Sequence, residues 1–193
     1  MRKLTPITKA ILIINVLAFI LTNLIGTDFV YQNFGLFNLK DPLYRPYQFI
    51  THMFLHGNAM HLIFNMLGLA FFGPRCESFL GDKFIPFYFI SGLSASLLHM
   101  SLIDSTGVMI GASGAIFGVF ALDSLRFPNE VAYLFGIIGV RLKYLFTSYI
   151  IIELVSGIIS IYNPNDHVAH FAHIGGALAG LFFYLTTQKG NIK

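Results

Sequence analysis

Residues 108–128 read VMIGASGAIFGVFALDSLRFP. From Ser113 to Leu125 the run is apolar or small except for Asp123, and Arg126-Phe127-Pro128 closes it, because the residue before a proline is pushed out of the helical region. A helix over 113–125 is about 20 Å long at ~1.5 Å per residue. A bilayer's hydrocarbon core is ~30 Å thick. The helix is therefore short for a membrane span. If it ends at the cytoplasmic face near Arg126, its N-terminus lies well below the outer surface. The lead-in Val108-Met109-Ile110-Gly111-Ala112 must then descend into the membrane without helical hydrogen bonds. Such backbone is tolerated at depth only where protein buries it or water reaches it. The expectation is a short, membrane-embedded helix that starts in a protected cavity opening outward.

Composition sets that context. The chain has 193 residues, 55% hydrophobic and 11% charged, with 21 Phe and no Trp. Soluble domains carry roughly 25% charged residues, and mean hydropathy here is +0.71. A soluble globule of this size has no interior for so much apolar surface. Disorder, nucleic-acid binding and a cytosolic enzyme are disfavoured, and an all-α polytopic membrane protein is expected. The formal net charge of +3 reads as topogenic Lys and Arg. Cys76 is the lone cysteine, so no intrachain disulfide forms.

Six apolar runs give six candidate helices, about 7–25, 58–72, 84–103, 113–125, 143–161 and 168–187, in a single membrane domain over 1–193. Met1-Arg2-Lys3 ahead of the first run resembles a signal peptide opening, but the run is long enough to span and has no evident cleavage site. Gly73-Pro74-Arg75 reads as the stop of the second helix and Asn163-Pro164-Asn165-Asp166 as that of the fifth. Val131–Val140 is apolar but too short to span, so an interfacial or loop segment is expected there. With the N-terminus inside, only Lys40 and Arg45 of the 12 basic residues fall outside. The positive-inside rule thus places both termini in the cytoplasm.

Polar groups then converge at one depth. Ser113 opens the fourth helix, whose free N–H groups and positive dipole end suit a developing oxyanion. His173 lies about 10 Å into the sixth helix at ~1.5 Å per residue, which matches the depth inferred for Ser113. His61 and Asn65 share a face of the second helix at i, i+4, also in the outer half. Gly114/Gly118 and Gly176/Gly180 have the G-x-x-x-G spacing that lets helices approach closely, which would bring His173 within reach of Ser113. A serine needs a base to become a nucleophile, and His is the usual one. His61, Asn65 and the N–H of Ser113 would suit an oxyanion site. The bland readings stand beside these: Ser113 as an N-cap, and His173, His61 and Asn65 as interhelical hydrogen-bonding groups.

Seven histidines raise the question of a metal. There is no H-E-x-x-H and no cysteine pair, and no carboxylate is suitably placed, so no metal is expected. His56 reads as a structural hydrogen-bonding group near the outer surface. His170, one turn above His173, lines the mouth or bonds across helices, while His99 and His167 read as interfacial. Glu153 in the fifth helix and Asp123 in the fourth either pair with polar neighbours, are protonated, or mark a proton path.

Three motifs taken in order carry a resemblance: His52-x-x-x-His56-x-x-x-x-His61-x-x-x-Asn65, Gly111-x-Ser113-Gly114, and Ala172-His173-x-Gly175-Gly176-x-x-x-Gly180. The chain resembles the rhomboid intramembrane serine proteases in their minimal six-helix bacterial form, over about Pro46 to Gly180. The resemblance implies Ser113 as nucleophile and His173 as general base, a dyad without an acidic third member. It implies an oxyanion hole from His61, Asn65 and Ser113, with Gly111 shaping the turn before the nucleophile, and His56 bracing the loop after the first helix. Gly114 supports the same motif. Relatives often carry Trp-Arg in that loop, where this chain has Tyr44-Arg45 or Tyr47-Gln48.

The expected function is a serine endopeptidase that cleaves transmembrane segments of other proteins within the lipid bilayer. No cofactor is expected, and the expected location is a bacterial plasma membrane. Two other classes remain open: a small transporter using Glu153 and the histidines as a proton relay, and a non-catalytic protein that binds membrane helices.

Overall fold

The computed structural model describes residues 3–103, 107–134, 136–163, 166 and 168–188. It is mostly helical, in the order α1 (Pro6–Ile25), α2 (Thr27–Phe34), α3 (Gln48–Thr51), α4 (Ala59–Leu80), α5 (Phe84–Leu102), α6 (Ser113–Arg126), α7 (Leu142–Ser160) and α8 (His170–Gln188). A hairpin of β1 (Val131–Leu134) and β2 (Ile138–Arg141) lies between α6 and α7. Long helices stand at the six expected positions, and α2 and α3 are additional.

Among the described residues, three helical stretches are long and apolar enough to cross a membrane: Pro6–Ile25, Ala59–Leu102 and Leu142–Ser160. A straight helix over 59–102 would run about 66 Å at ~1.5 Å per residue, twice a bilayer. The stretch breaks instead at the 3-10 turn Gly81–Lys83, where Gly81 has φ +55°. The outward surface is apolar: Leu17, Leu21, Leu24, Ile151, Ile152 and Val155 are all exposed. Asn15, Gln48, Asn65, Arg75, Glu77, Asp123 and Glu153 are buried. This polar-inside arrangement suits lipid as the outer solvent.

The second helix corrects the expected boundary of 58–72. It continues through Gly73 and Pro74 to Leu80. Gly73 serves close packing there, since a Cβ would lie 2.9 Å from Thr8 Oγ1. Beyond Pro74 the side chains are tied across the bundle. Glu77 accepts from the backbone N–H groups of Ile7 at 2.9 Å and Thr8 at 2.7 Å, satisfying orphan donors at the start of α1. Arg75 pairs with buried Asp123 of α6 and, at 3.2 Å, with Glu130. These contacts outweigh the helix-breaking tendency of the proline.

Val131–Val140, too short to span, forms most of the β1–β2 hairpin, a strand pairing that the expectation of an interfacial or loop segment did not include. Ala132 is buried there and packs with Phe120, Leu142 and Leu145. The other ends differ by one or two residues, within ordinary fraying.

Helix α6 is the centre. Ten of its residues, including Gly114, Val119, Leu122 and Asp123, are buried. It is packed between α5 and α8, its most extensive neighbours. A Cβ on Gly176 would fall 1.8 Å from the Gly114 carbonyl oxygen, and one on Gly180 2.4 Å from that of Gly118. Gly114 and Gly118 in turn face Ala95 and Ser91 of α5. Gly114 thus serves α5, Gly118 serves both α5 and α8, where a Cβ would lie 3.0 Å from the Gly176 carbonyl oxygen, and Gly176 and Gly180 bring α8 onto the α6 backbone.

Candidate active site

The backbone leading into α6 is extended, and its polar groups are satisfied by the loop after α1. Leu36 and Met109 exchange both backbone hydrogen bonds, at 3.0 and 2.8 Å, and Gly111 N–H donates to the His52 carbonyl at 2.9 Å. Gly111 has φ +128°, and a Cβ there would lie 2.9 Å from both Cε1 and Nε2 of His61. Only glycine allows that conformation and that approach together. Ala112, without a side-chain hydrogen bond, caps α6, and Ser113 is its first helical residue. The N-cap reading of Ser113 is therefore corrected. The first-turn N–H groups around Ser113 have no intrahelical partner.

Ser113 and His173 meet across 60 residues, with Ser113 Oγ and His173 Nε2 2.9 Å apart. Both are half-buried. The close packing of α8 on α6 sets this distance, as the glycine contacts require. The His173 ring stacks on Phe117 with centroids 4.3 Å apart and planes at 6°. Phe117 follows Ser113 by four residues, so it shares that face of α6.

His61 sits in the first turn of α4, where its N–H donates to the capping Asn58 Oδ1 at 2.8 Å. Its ring borders Gly111 and meets the His56 ring edge-on at 5.0 Å. Asn65 is buried, and its Nδ2 donates to the His61 carbonyl at 2.9 Å. His56 is fully buried, and its carbonyl accepts from Tyr31 Oη at 2.9 Å, tying α2 to the start of α4. Burial first, and then the neighbouring His61 charge, lowers the His56 pKa to about 4. Burial likewise lowers that of His52 to about 4, against the opposing hydrogen bonds to the carbonyls of Gln48 and Phe49. A cavity of about 20 Å³ lies behind Ser113, bounded by His52, Met53, Met109, Gly111 and Ala172. One water needs roughly 10–15 Å³ on this measure.

Glu153 of α7 reaches into the same site. Its Oε2 lies 2.7 Å from His170 Nδ1 and 2.9 Å from His173 Nδ1. The first contact is an aligned hydrogen bond. The second is an ion-pair approach without hydrogen-bond alignment. His170 Nε2 lies 3.3 Å from Asp166 Oδ2. Of the open readings, pairing with polar neighbours describes Glu153, and Asp123 pairs with Arg75. His99 is half-buried in α5, and His167 lies outside the described residues.

The expectation that no carboxylate is suitably placed is corrected: Glu153, His170 and His173 present ligand atoms within 4.8 Å of one another. Contacts of 2.7 and 2.9 Å are hydrogen-bond separations. Zinc, bound at about 2.0–2.2 Å, would spread tetrahedral ligands to roughly 3.3 Å.

Sequence reasoning missed the stacking Phe117, the carbonyl of His52 and the joining of Glu153 to His173. The i, i+4 spacing from Ser113 was the available signal for Phe117, and an ionisable group inside a membrane helix was the signal for Glu153.

The family model described as the Rhomboid domain matches residues 44–189. RHOMBOID-like protein 1 of Arabidopsis thaliana is 36% identical over 156 residues, covering 75% of this chain and 36% of the relative. RHOMBOID-like protein 12, mitochondrial, from the same plant, is 26% identical over 207 residues, covering 97% and 60%. The Bacillus subtilis (strain 168) protein named "Putative rhomboid protease YdcA" is 31% identical over 147 residues, covering 74% and 68%. The chain thus spans about a third to two thirds of the length of these relatives.

Proposed function

The chain belongs to the rhomboid family, and on that premise we propose that it is an intramembrane serine endopeptidase with Ser113 as nucleophile and His173 as general base. It is an integral membrane protein. The proposed architecture is one domain of six spans, α1, α4, α5, α6, α7 and α8, with both termini cytoplasmic. The observation that carries the reading is the 2.9 Å approach of Ser113 Oγ to His173 Nε2 at the start of a short buried helix.

The reaction follows from the groups present. A substrate helix unwinds at its outer end and offers a peptide carbonyl to Ser113. His173 Nε2 takes the hydroxyl proton as Oγ bonds to the carbonyl carbon. The oxyanion receives hydrogen bonds from the Ser113 N–H and from the side chains of His61 and Asn65. Asn65 retains a second Nδ2 proton beyond the one given to the His61 carbonyl. Gly111 lets the His61 ring stand beside Ser113, Gly114 lets α5 close on α6, and His56 braces the loop behind them. The tetrahedral intermediate breaks its C–N bond, and the His173 proton goes to the leaving amine. Water then loses a proton to His173, attacks the acyl ester and frees the carboxylate while Ser113 regains its proton. The substrates are transmembrane segments of other proteins.

The transporter reading relied on Glu153 and the histidines. Those groups contact one another and lead to Ser113, which favours the hydrolase.

The test uses purified protein in micelles with a serine-reactive fluorophosphonate, read by intact mass. Wild type is expected to label at one site. Ser113→Ala is expected to lose the label, and His173→Ala to react more slowly by about 10²–10⁴-fold, the usual contribution of a general base. Folded wild type that neither labels nor cleaves a model transmembrane substrate would overturn the reading.

A further inference from the structure

We propose that Glu153 is a positioning residue for His173, an acidic third partner carried on α7. The inference rests on the reading of Ser113 and His173 as nucleophile and base. Three observations carry it. Glu153 is buried at 8% exposure, although it lies in a helix whose neighbouring faces are exposed and apolar. Its carboxylate oxygen approaches the ring nitrogen of His173 opposite the one that faces Ser113, Nδ1 at 2.9 Å against Nε2 at 2.9 Å. The same oxygen is held by His170 Nδ1 at 2.7 Å, and His170 by Asp166, so the carboxylate is anchored from α8 as well as from α7.

The chemistry follows from the two nitrogens. A neutral imidazole can accept the Ser113 proton at Nε2 only if its own proton is on Nδ1. A carboxylate beside Nδ1 selects that tautomer and fixes the ring plane, which Phe117 holds from the other side. When Nε2 takes the serine proton the ring becomes imidazolium, and the carboxylate stabilises that charge where lipid and protein exclude water. The Nδ1 proton stays on the imidazole throughout, and Glu153 remains ionised. The off-axis approach to Nδ1 is the resting geometry, since catalytic hydrogen bonds often align only with substrate bound.

A structural tie between α7 and α8 is the competing role, and the experiment separates the two. Wild type, Glu153→Gln and Ser113→Ala are compared in micelles for fluorophosphonate labelling rate, for kcat and KM on a model transmembrane substrate, and for melting temperature. Gln keeps the volume and an acceptor oxygen but loses the charge. The expected result is a fall in kcat and in labelling rate on the order of 10- to 100-fold, smaller than the ~10⁴ seen where an acid is essential to a serine protease. KM is expected within twofold of wild type, with melting preserved. A folded Glu153→Gln that labels and turns over within twofold of wild type overturns the proposal. If the variant does not fold, ¹⁵N-histidine spectra of the wild type decide. A His173 Nδ1–H proton resonance shifted far downfield, as for an N–H held by a carboxylate, supports the assignment, and an Nδ1–H without that shift overturns it. Failure of wild type itself to label would instead count against the nucleophile reading.

Discussion

Gly111 shows how much of the site depends on a missing side chain. Its φ of +128° is strained for an L residue, at a cost of about 1–3 kcal/mol. A Cβ would also stand 2.9 Å from two atoms of the His61 ring. Gly111→Ala must therefore either displace His61 or lift the backbone that leads to Ser113. Both routes damage the proposed oxyanion site before they damage the helix bundle. Labelling by a fluorophosphonate is expected to slow by at least about tenfold, the equivalent of ~1.4 kcal/mol, with the protein still folded by circular dichroism. Wild-type labelling in a folded Gly111→Ala protein would mean that His61 is not poised by this turn. Ser113, His173, His61, Asn65 and Gly111 could all be singled out in the sequence because each breaks the pattern around it, as a polar or flexible residue in an apolar run. Phe117 could not, because a phenylalanine among 21 others in an apolar chain looks like packing.

The same logic governs the elements, where distances between helices replace distances between atoms. Helix α8 reaches α6 because Gly176 and Gly180 face the α6 backbone, and a Cβ on Gly176 would overlap the Gly114 carbonyl oxygen at 1.8 Å. That oxygen is backbone in the first turn of a buried helix and has nowhere to go. Gly176→Ala is expected to push α8 away, separating His173 from Ser113, and to destabilise by at least the ~1–3 kcal/mol typical of overpacked cores. Gly68→Ala on α4 is the contrasting case, since its Cβ would meet only the side-chain methyl of Ile116 at 3.2 Å. Labelling and melting temperature measured for both variants test the difference. Equal, mild effects would refute the close-contact account. Spacing made the small-residue stripes visible in the sequence, but their assignment was half legible. Gly114 faces α5, and Gly118 faces α5 as well as the Gly176 carbonyl of α8, and no periodicity along α6 alone could reveal the α5 contacts. Likewise Gly73-Pro74 read as a stop because local propensity was all the sequence offered. The ties of Arg75 to Asp123 and of Glu77 to the start of α1 are long-range contacts that overrule it. The β1–β2 hairpin escaped for a related reason, as a short apolar run carries too little periodicity to separate strand from interfacial loop.

Among the described residues the bundle buries charged and polar groups such as Asn15, Gln48, His52, His56, Arg75 and Asp123 beside its apolar core, so stability depends on keeping the interior in the right charge state. His52 and His56 are buried outside the spanning stretches, in the segment that joins the first loop to α4 and supports Gly111 through the His52 carbonyl. Both have pKa values lowered to about 4 by burial, against 6.5 for an ordinary histidine. Between those values the unfolded chain binds a proton at each site and the folded protein does not. Acid therefore favours unfolding across that window. The stability these histidines confer is whole above pH 6.5, declines as pH falls through the window, and is fully lost below about 4. Each unmatched proton contributes a slope of about 1.4 kcal/mol per pH unit. Melting temperature in micelles should hold from pH 7 to about pH 6.5 and then fall towards pH 5, a range above the ordinary carboxylate titrations. His56→Phe keeps a ring of similar volume, removes one of the two protons, and should show a shallower decline. A wild-type profile that is flat from pH 7 to pH 5 would mean that these rings are hydrated or already charged in the folded state. The loop behind Ser113 would then be held by something other than buried neutral histidines.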